Sequence, residues 1–583
     1  MIDFKGMSDP VREIGEKVEN WHSKLQGHLG RFNTYADFWR LRRPTRSGDF
    51  SGFANPQVTE TLRATEAIAT FFYRALTSAQ PNFAFVTSNP DVTEEDLWTA
   101  EQVIIWQQTV TQYRRKLLKS CRSVALMGTV GVEEPWMVNM PYFESTDFIP
   151  RSLLQIAFDP NCYDISLSSW HAFIDYVTPD QLRALGQKMP DVFDPESIEN
   201  AIGSGEQGKV SSEVISRMTG AGYQNWSSSG KSNILQLITY HGILNDDKTG
   251  TEWCASTVND ATTIRFDTSV YKRRPVTFGH LAEFEMEPYA YGVGATAEHT
   301  QPEMNSNQGR IHDVITFSLF NQWLIDRASN LKPSQLKIKP WGGIEVDGNP
   351  DLMIKALRPQ LEGATVGMNL QNLLKQEFRG ATGATDNLQA MVTSASATEA
   401  SIAQTEAVRR LSVQAEIFSE PILRDHISKM HENNLTFLDK PFSIAATGRY
   451  ENIKVYPADL ALDVEVQTKI VTDKDFRPQR NKDLLQFLQT VTSIRSQNPQ
   501  LGEINLQPFV EEFARSVGMN PKQVWRVVPQ MPGMPGQAGG PMIPGAMDRI
   551  AGNVQQAEGM RSQAGELGAA ANQSATAQLA GAA

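Results

Sequence analysis

Apolar residues occupy almost the whole circumference of one predicted helix, and this constrains the fold more than any other feature of the chain. Over Gln308–Leu331, Ile311, Val314, Phe317, Phe320, Leu324, Ala328 and Leu331 recur at spacings of three or four. Ile315, Leu319, Trp323 and Ile325 fill much of the remaining surface. A helix of that kind must be covered on several sides. At a rise of about 1.5 Å per residue it would be about 36 Å long. Lipid is not the expected cover, because no apolar run approaches the ~18 residues of a membrane span. The best run, Ala67–Phe72, is far too short. Neighbouring copies of the chain are the expected cover.

The 583 residues allow three or four packed units. With 40% hydrophobic and 21% charged residues, most of the chain is expected to be globular. Cys121, Cys162 and Cys254 are odd in number and far apart, which argues against a disulfide framework and a cysteine-rich zinc site. Met1–Pro10 mixes charges and lacks a hydrophobic core, so no export signal is expected there. The net charge of −12 argues against a protein that works by gripping nucleic-acid phosphates.

Periodicity predicts an α+β chain, mainly helical. Ser8-Asp9-Pro10 resembles a helix start. Between Arg31 and Arg46, Phe32, Tyr35, Phe38, Trp39, Arg40, Arg42, Arg43 and Arg46 form a basic, aromatic stretch. It suits a docking or subunit-contact surface better than nucleic acid, given the acidic balance elsewhere. One helix is predicted from Glu94 to about Leu126. From Phe148 to Leu281 short strands are expected at Trp170–Val177, Ile234–Tyr240, Glu252–Val258, Thr263–Phe266 and Val276–His280. Their short connectors point to antiparallel pairing. Thr178-Pro179-Asp180 reads as a helix cap, and Ile202–Lys231 as an exposed excursion rich in Gly and Ser.

A compact module is expected at Lys332–Leu361, with strands at Gln335–Pro340 and Ile344–Val346 and a short helix at Asp351–Leu357. A polar helix follows near Gly367–Arg379, then a small-residue loop, Gly380–Ala397. Thr398–Phe437 reads as a long helix in which Pro421 predicts a kink. Leu462, Val464 and Val466 mark a half-buried strand. Helices are predicted at Arg480–Arg495 and Leu506–Gly518. The Gly/Ala/Gln-rich end, Met531–Ala583, is predicted to be disordered.

Motif by motif, no catalytic constellation emerges. Gly203–Lys209 has P-loop spacing, but Val210 stands where a hydroxyl must reach magnesium. Gly230-Lys231-Ser232 has the hydroxyl, yet Asn225 replaces the required glycine. Gly292-Val-Gly294-Ala-Thr-Ala297 imitates a dinucleotide fingerprint without a surrounding parallel sheet, and reads as a tight turn. His426 and His431 are spaced by five, off a common helical face, and a satisfied surface or interface role is expected. No GxSxG or HExxH occurs. Catalytic residues, cofactors and metal ligands are therefore not expected. The enzymatic alternative is a nucleotide-dependent protein built on Gly203–Lys209.

The order of elements resembles the portal protein, or head-to-tail connector, of tailed bacteriophages, most closely that of the short-tailed group. Glu287-Pro288-Tyr289-Ala290-Tyr291-Gly292-Val293-Gly294 is similar to the family's tyrosine-glycine turn ahead of its stem. The apolar helix Ile311–Leu331 and the opening Ala397-Thr398-Glu399-Ala400-Ser401-Ile402 of the long helix support it, over roughly residues 10–530. Val293 departs from the pattern, since many relatives carry a basic residue there.

The resemblance implies a portal fold assembled as a ring: a wing over 1–300, a first stem helix over 301–331, a clip over 332–362 and a second stem helix over 363–379. It further implies a tunnel loop over 380–397, the kinked wing helix and strands over 398–475, a crown over 476–530 and the tail from 531. Ile311, Val314, Phe317, Phe320, Trp323 and Leu324 would form the subunit interface. Thr382, Gly383, Asp386, Asn387 and Gln389 would border the channel, and Lys337, Lys339 and Trp341 would lie in the clip. Such proteins are structural parts of the virion that form twelve-fold rings at one capsid vertex. They nucleate head assembly, dock the large terminase subunit, meet capsid, scaffolding and tail adaptor proteins, and pass double-stranded DNA without sequence specificity. A membrane is not among the implied partners. A different ring-forming tail or adaptor protein of a virion is the structural alternative.

Overall fold

The structure, a computed structural model, is described for residues 8–43, 53–77, 81–138, 144–204, 210–223, 234–245, 247–319, 322–325, 354–357, 362–384, 409–445 and 452–468. Within them the chain mixes helices and antiparallel strands.

Four helices come first: α1 (Val11–Trp39), α2 (Glu60–Thr77), α3 (Glu94–Val110) and α4 (Tyr113–Met127). A strand, β1 (Phe83–Val86), lies between α2 and α3. The single helix expected over Glu94–Leu126 is thus two. Thr93 and Asp96 form a capping box at the start of α3, and Gln112 at φ +55° turns the chain left-handed before α4. Only the backbone records that break, because a glutamine in this region carries no glycine to announce it.

The strand region follows as β2 (Thr129–Glu133), β3 (Trp136–Met137), β4 (Ser145–Thr146), β5 (Ile149–Arg151), β6 (Ile156–Phe158) and β7 (Trp170–Val177). Helices α5 (Pro179–Lys188), α6 (Pro195–Gly203) and α7 (Ser212–Gly220) come next, then β8 (Leu235–Gly242), β9 (Trp253–Val258), β10 (Thr262–Thr268) and β11 (Val276–His280). The expected antiparallel pairing is present throughout: β10-β9-β8-β7-β6 form one sheet and β11-β2-β5 another. Alternation along β8 divides its two faces. Ile238 and Tyr240 join α1 residues Trp21, Leu25 and Phe32 in one core, while Leu235 and Leu237 join Leu182 of α5 and Ile198 of α6 in another. Thr178 caps α5 as expected, exchanging hydrogen bonds with Gln181.

The excursion Ile202–Lys231 is not wholly exposed. Within it α7 is clamped to α1: Arg217 donates to Asn33 Oδ1 (2.8 Å) and to the Phe32 carbonyl (2.9 Å), and Asn33 donates to the Glu213 carbonyl (2.8 Å).

Beyond the sheets lie α8 (Val293–Leu319), β12 (Gln322–Ile325), β13 (Ile354–Leu357) and α9 (Glu362–Thr382). The predicted helix Gln308–Leu331 is corrected at both ends. It begins earlier, at Val293, with Pro302 inside it, and it stops at Leu319. Trp323 and Leu324, expected on the helix, sit instead in β12, which pairs antiparallel with β13. β13 in turn occupies residues expected to be a short helix at Asp351–Leu357. Short apolar runs satisfy either period, and the pairing of two such runs with each other decides for strand.

The long helix, α10, is followed from residue 409. It widens into a π turn over Glu420–Asp425 and continues as His426–Phe437. Pro421 therefore interrupts the ordinary ladder where expected, and the wider turn accommodates a residue that cannot donate. Finally β14 (Phe442–Ala445) pairs with β15 (Asn452–Val455), and β16 (Glu465–Thr468) returns to pair with β1. The strand expected from Leu462 thus starts later, at Glu465. The helices expected at Arg480–Arg495 and Leu506–Gly518 and the tail from Met531 lie outside the described residues. The same holds for Lys337, Lys339 and Trp341.

Candidate functional site

Helices α8 and α9 pack side by side, and the pair is built from polar as well as apolar contacts. Asn307 Nδ2 donates to the Gly367 carbonyl (2.8 Å) and to Gln371 Oε1 (3.0 Å). Gly367 permits this approach: a Cβ there would stand 2.9 Å from Ile311 Cγ1. Along α9, Ala364, Gln371, Leu374 and Phe378 turn inward and are buried.

Two further ties fix the pair to the helical region. Arg379 of α9 makes a bidentate contact with the buried carboxylate of Glu60 on α2, at 2.9 and 3.0 Å. Residues 53–59 are strapped along α8, where Ala54 N donates to Asp313 and Val58 N to Asn305, both at 2.8 Å. Gln301 bonds the Thr61 hydroxyl and the Val58 carbonyl, each at 2.7 Å.

The opposite side of the pair is apolar and open. Val366, Leu370 and Leu373 lie at i, i+4 and i+7 on α9, with Val366 67% and Leu373 59% exposed. Met368 and, on α8, Ile315 are exposed as well. Surface helices ordinarily present polar groups at such positions.

Of the expected interface residues, the structure places Ile311, Val314 and Phe317 on α8. Ile311 is buried within the chain against Gly367, and Val314 is half-buried. Phe320 lies outside the described residues, and Trp323 and Leu324 belong to β12. The uncovered stripe therefore falls mainly on α9, which the sequence had marked only as a polar helix. Its signal was there in Val366, Leu370 and Leu373, diluted by the polar residues between them. Of the expected channel residues, Thr382 ends α9 and Gly383 follows it at φ +71°; Asp386, Asn387 and Gln389 are not among the described residues.

The remaining motifs resolve into packing. Gly292 and Gly294 lead into α8 because the end of α4 crosses there. A Cβ at Gly292 would meet Gly128 N at 2.4 Å, and one at Gly294 would meet the Tyr35 ring at 2.4 Å. Gly203 closes α6, so a helix and not a strand precedes the P-loop-like spacing; residues 205–209 and Gly230-Lys231-Ser232 are outside the described residues. In the basic, aromatic stretch Phe32 and Tyr35 are buried, Tyr35 donates to Glu298 (2.9 Å) and Trp39 to Glu66 (3.2 Å). The Phe32 and Tyr35 rings are closed off by packing, while Phe38 and Trp39 are half-buried. Beside them, Asp37, Phe38, Arg42, Arg43, Pro302 and Asn305 line an open cleft of about 370 Å³.

His426 and His431 are not surface groups, contrary to expectation. His431 is buried and bonds the Leu462 carbonyl (3.1 Å). His426 belongs to a cluster about the fully buried Glu134: its Nδ1 stands 2.7 Å from Glu134 Oε1. Lys429 Nζ donates to Glu134 Oε2 (2.9 Å) and to the Val276 carbonyl (2.6 Å), and the Thr277 hydroxyl donates to Glu134 at 2.7 Å. Burial alone would raise the Glu134 pKa, but Lys429 and His426 outweigh it and hold the carboxyl down at about 2. The His426 ring stacks flat on Tyr113, 5.2 Å between centroids. This cluster joins α10 to β11 and the β2–β3 turn.

Among the described residues, no group of three or more His, Cys, Asp or Glu side chains could hold a metal ion, and no helix is long and apolar enough to cross a membrane. No family model matches the chain, and no curated protein matches it.

Proposed function

We propose that this chain is the subunit of a portal-type ring, a structural component of a tailed-phage virion that conducts double-stranded DNA and has no catalytic role. The observation that carries the reading is the open apolar stripe Val366, Leu370 and Leu373 on the α8–α9 pair. A different face of a neighbouring copy is its natural cover, and repeated head-to-tail contact of that kind closes a ring. The arrangement of elements supports the reading too. Two packed helices enclose, between their ends, a segment that opens and closes with the β12–β13 pair, as a stem, clip and stem would. The interrupted helix α10 follows α9, as the kinked wing helix would.

On this reading the ring sits at one capsid vertex, where it meets capsid and scaffolding proteins, the large terminase subunit and tail adaptors. The physical requirement on the channel is weak attachment. A wall that neutralised phosphates would release counterions and hold the DNA, whereas an acidic subunit lets a polyanion slide. The net charge of −12 fits that requirement. Native mass measurement of the purified full chain tests the proposal. Twelve chains of 64.9 kDa make an annular particle of about 780 kDa. A monomer or dimer at every protein concentration overturns it.

A further inference from the structure

Two loops of the strand region place large apolar side chains in solvent among carboxylates. In the segment Glu283-Phe284-Glu285-Met286-Glu287, acidic and apolar residues alternate, and Phe284 and Met286 are 66% and 68% exposed. In the loop between β6 and β7, Tyr163 and Leu167 are 60% and 78% exposed, with Asp164 between them in sequence.

Several contacts put the two loops on one surface. Both flank the same turn of α1: Lys24 donates to Asn161 of the β6–β7 loop (2.7 Å), and the His28 ring lies 5.7 Å from that of Tyr289, two residues beyond Glu287. Phe158 and Tyr289 meet edge to face at 5.7 Å beneath them. His280, at the end of β11, is 4.0 Å from Glu283; burial lowers its pKa while Glu283 and Asp164 both oppose that.

Phe284 and Met286, both two-thirds exposed within one acidic segment and neighboured by the loop that exposes Tyr163 and Leu167, exceed the scattered single hydrophobics of an ordinary surface. We infer that this patch docks a cationic, amphipathic segment of a different polypeptide. The charge pattern selects the occupant. Nucleic acid and anionic lipid carry the same sign as Asp164, Glu283, Glu285 and Glu287 and are repelled. The α1 cations beside the loops do not reverse the sign: Arg31 is paired with Glu298 (3.4 Å), and Lys24, held by the Asn161 amide, is one positive charge against four carboxylates. A second copy of this chain is a poorer match, since it carries a net charge of −12 and two arginines of its basic stretch are engaged within the chain. Arg40 donates to the Arg217 carbonyl (3.3 Å), and Arg42 pairs with Asp37 (3.4 Å). A segment with lysines or arginines alternating with apolar residues would cover Phe284 and Met286 while pairing with the glutamates between them.

The test uses the full chain and two designed peptides of identical apolar pattern, one with lysine and one with glutamate at the polar positions. Fluorescence anisotropy should show that the lysine peptide binds and the glutamate peptide does not. Phe284→Ser with Met286→Ser should weaken binding of the lysine peptide about tenfold. Glu283→Gln with Glu285→Gln should weaken it at low salt, with the difference shrinking as salt is added. All four positions are exposed, so these variants should keep the parent's circular dichroism. Undiminished binding to the Phe284/Met286 variant would reduce the effect to diffuse charge and overturn the inference. A changed particle mass for that variant without peptide would assign the patch to a second copy, and overturn it equally.

Discussion

Gly279 on β11 and Phe418 on α10 are in contact only because Gly279 has no side chain: a Cβ there would stand 2.6 Å from Phe418 Cε2 and 2.7 Å from Ile422 Cγ1. The long helix thus enters its π turn pressed against bare backbone of the small sheet. Gly279→Ala should lower stability by ~1–3 kcal/mol, the usual cost of overpacking a core. Adding Phe418→Leu should recover part of the loss, since the ring carbon that blocks the methyl group is then gone. Urea unfolding of the single and double variants reads this directly, and equal midpoints for parent and Gly279→Ala would refute it.

Below the same turn, Glu134 draws Lys429 and His426 together with no water-exposed alternative. Lys429→Met should cost ~3–5 kcal/mol, because it takes from a buried carboxylate the stronger of its two cationic partners. The pH dependence has a definite sign. The Glu134 pKa is depressed to about 2, so its contribution is fully present above the ordinary value of 4.5 and fades as pH falls from there through 2. Glu134→Gln should flatten the acid limb of the stability profile in that window. A limb unchanged in the variant would show that other carboxylates set it.

Legibility in the sequence divides along the same line. Trp170–Val177, Thr178 and Val276–His280 were readable because alternation and capping are local chemistry. Glu134 was not, because its partners lie 292 and 295 residues away and nothing near it differs from a solvated acid pair. Gln112 was hidden for another reason, its left-handed turn being imposed by the packing of α3 and α4. Trp323 and Leu324 continue the helical spacing of α8 in sequence, and only their pairing with β13 takes them out of it. The apolar circumference pointed to α8 as the contact helix, whereas Val366, Leu370 and Leu373 on α9 are exposed beside Ile315 of α8.

That stripe yields the assembly prediction. Leu370→Asp with Leu373→Asp should leave the fold of the subunit intact, since both side chains face solvent within one chain. It should also prevent the large particle from forming, because a charge buried without a partner in each interface is repeated around the ring. Sedimentation should show small species only, with unchanged circular dichroism. Normal particles from this variant would move the interface elsewhere.

Arg379→Ala separates support from contact. It leaves the buried Glu60 carboxylate without its bidentate partner, and stability should fall by ~3–5 kcal/mol. Arg379→Lys should restore only part, because an ammonium cannot reproduce the two parallel bonds. Full recovery with lysine would mean that charge alone matters at this position.

The β12–β13 pair also acts as a socket. Because Gln322–Ile325 and Ile354–Leu357 are hydrogen-bonded to each other, the chain leaves and re-enters at adjacent points. The positions of α8 and α9 are then indifferent to how many residues are threaded between the two strands, since lengthening a closed loop costs only a slowly growing entropy. Residues 326–353 can accordingly diverge, lengthen or be exchanged for a foreign sequence while the helices keep their geometry. Sequence change between the two strands is thereby uncoupled from the geometry of the helices on either side.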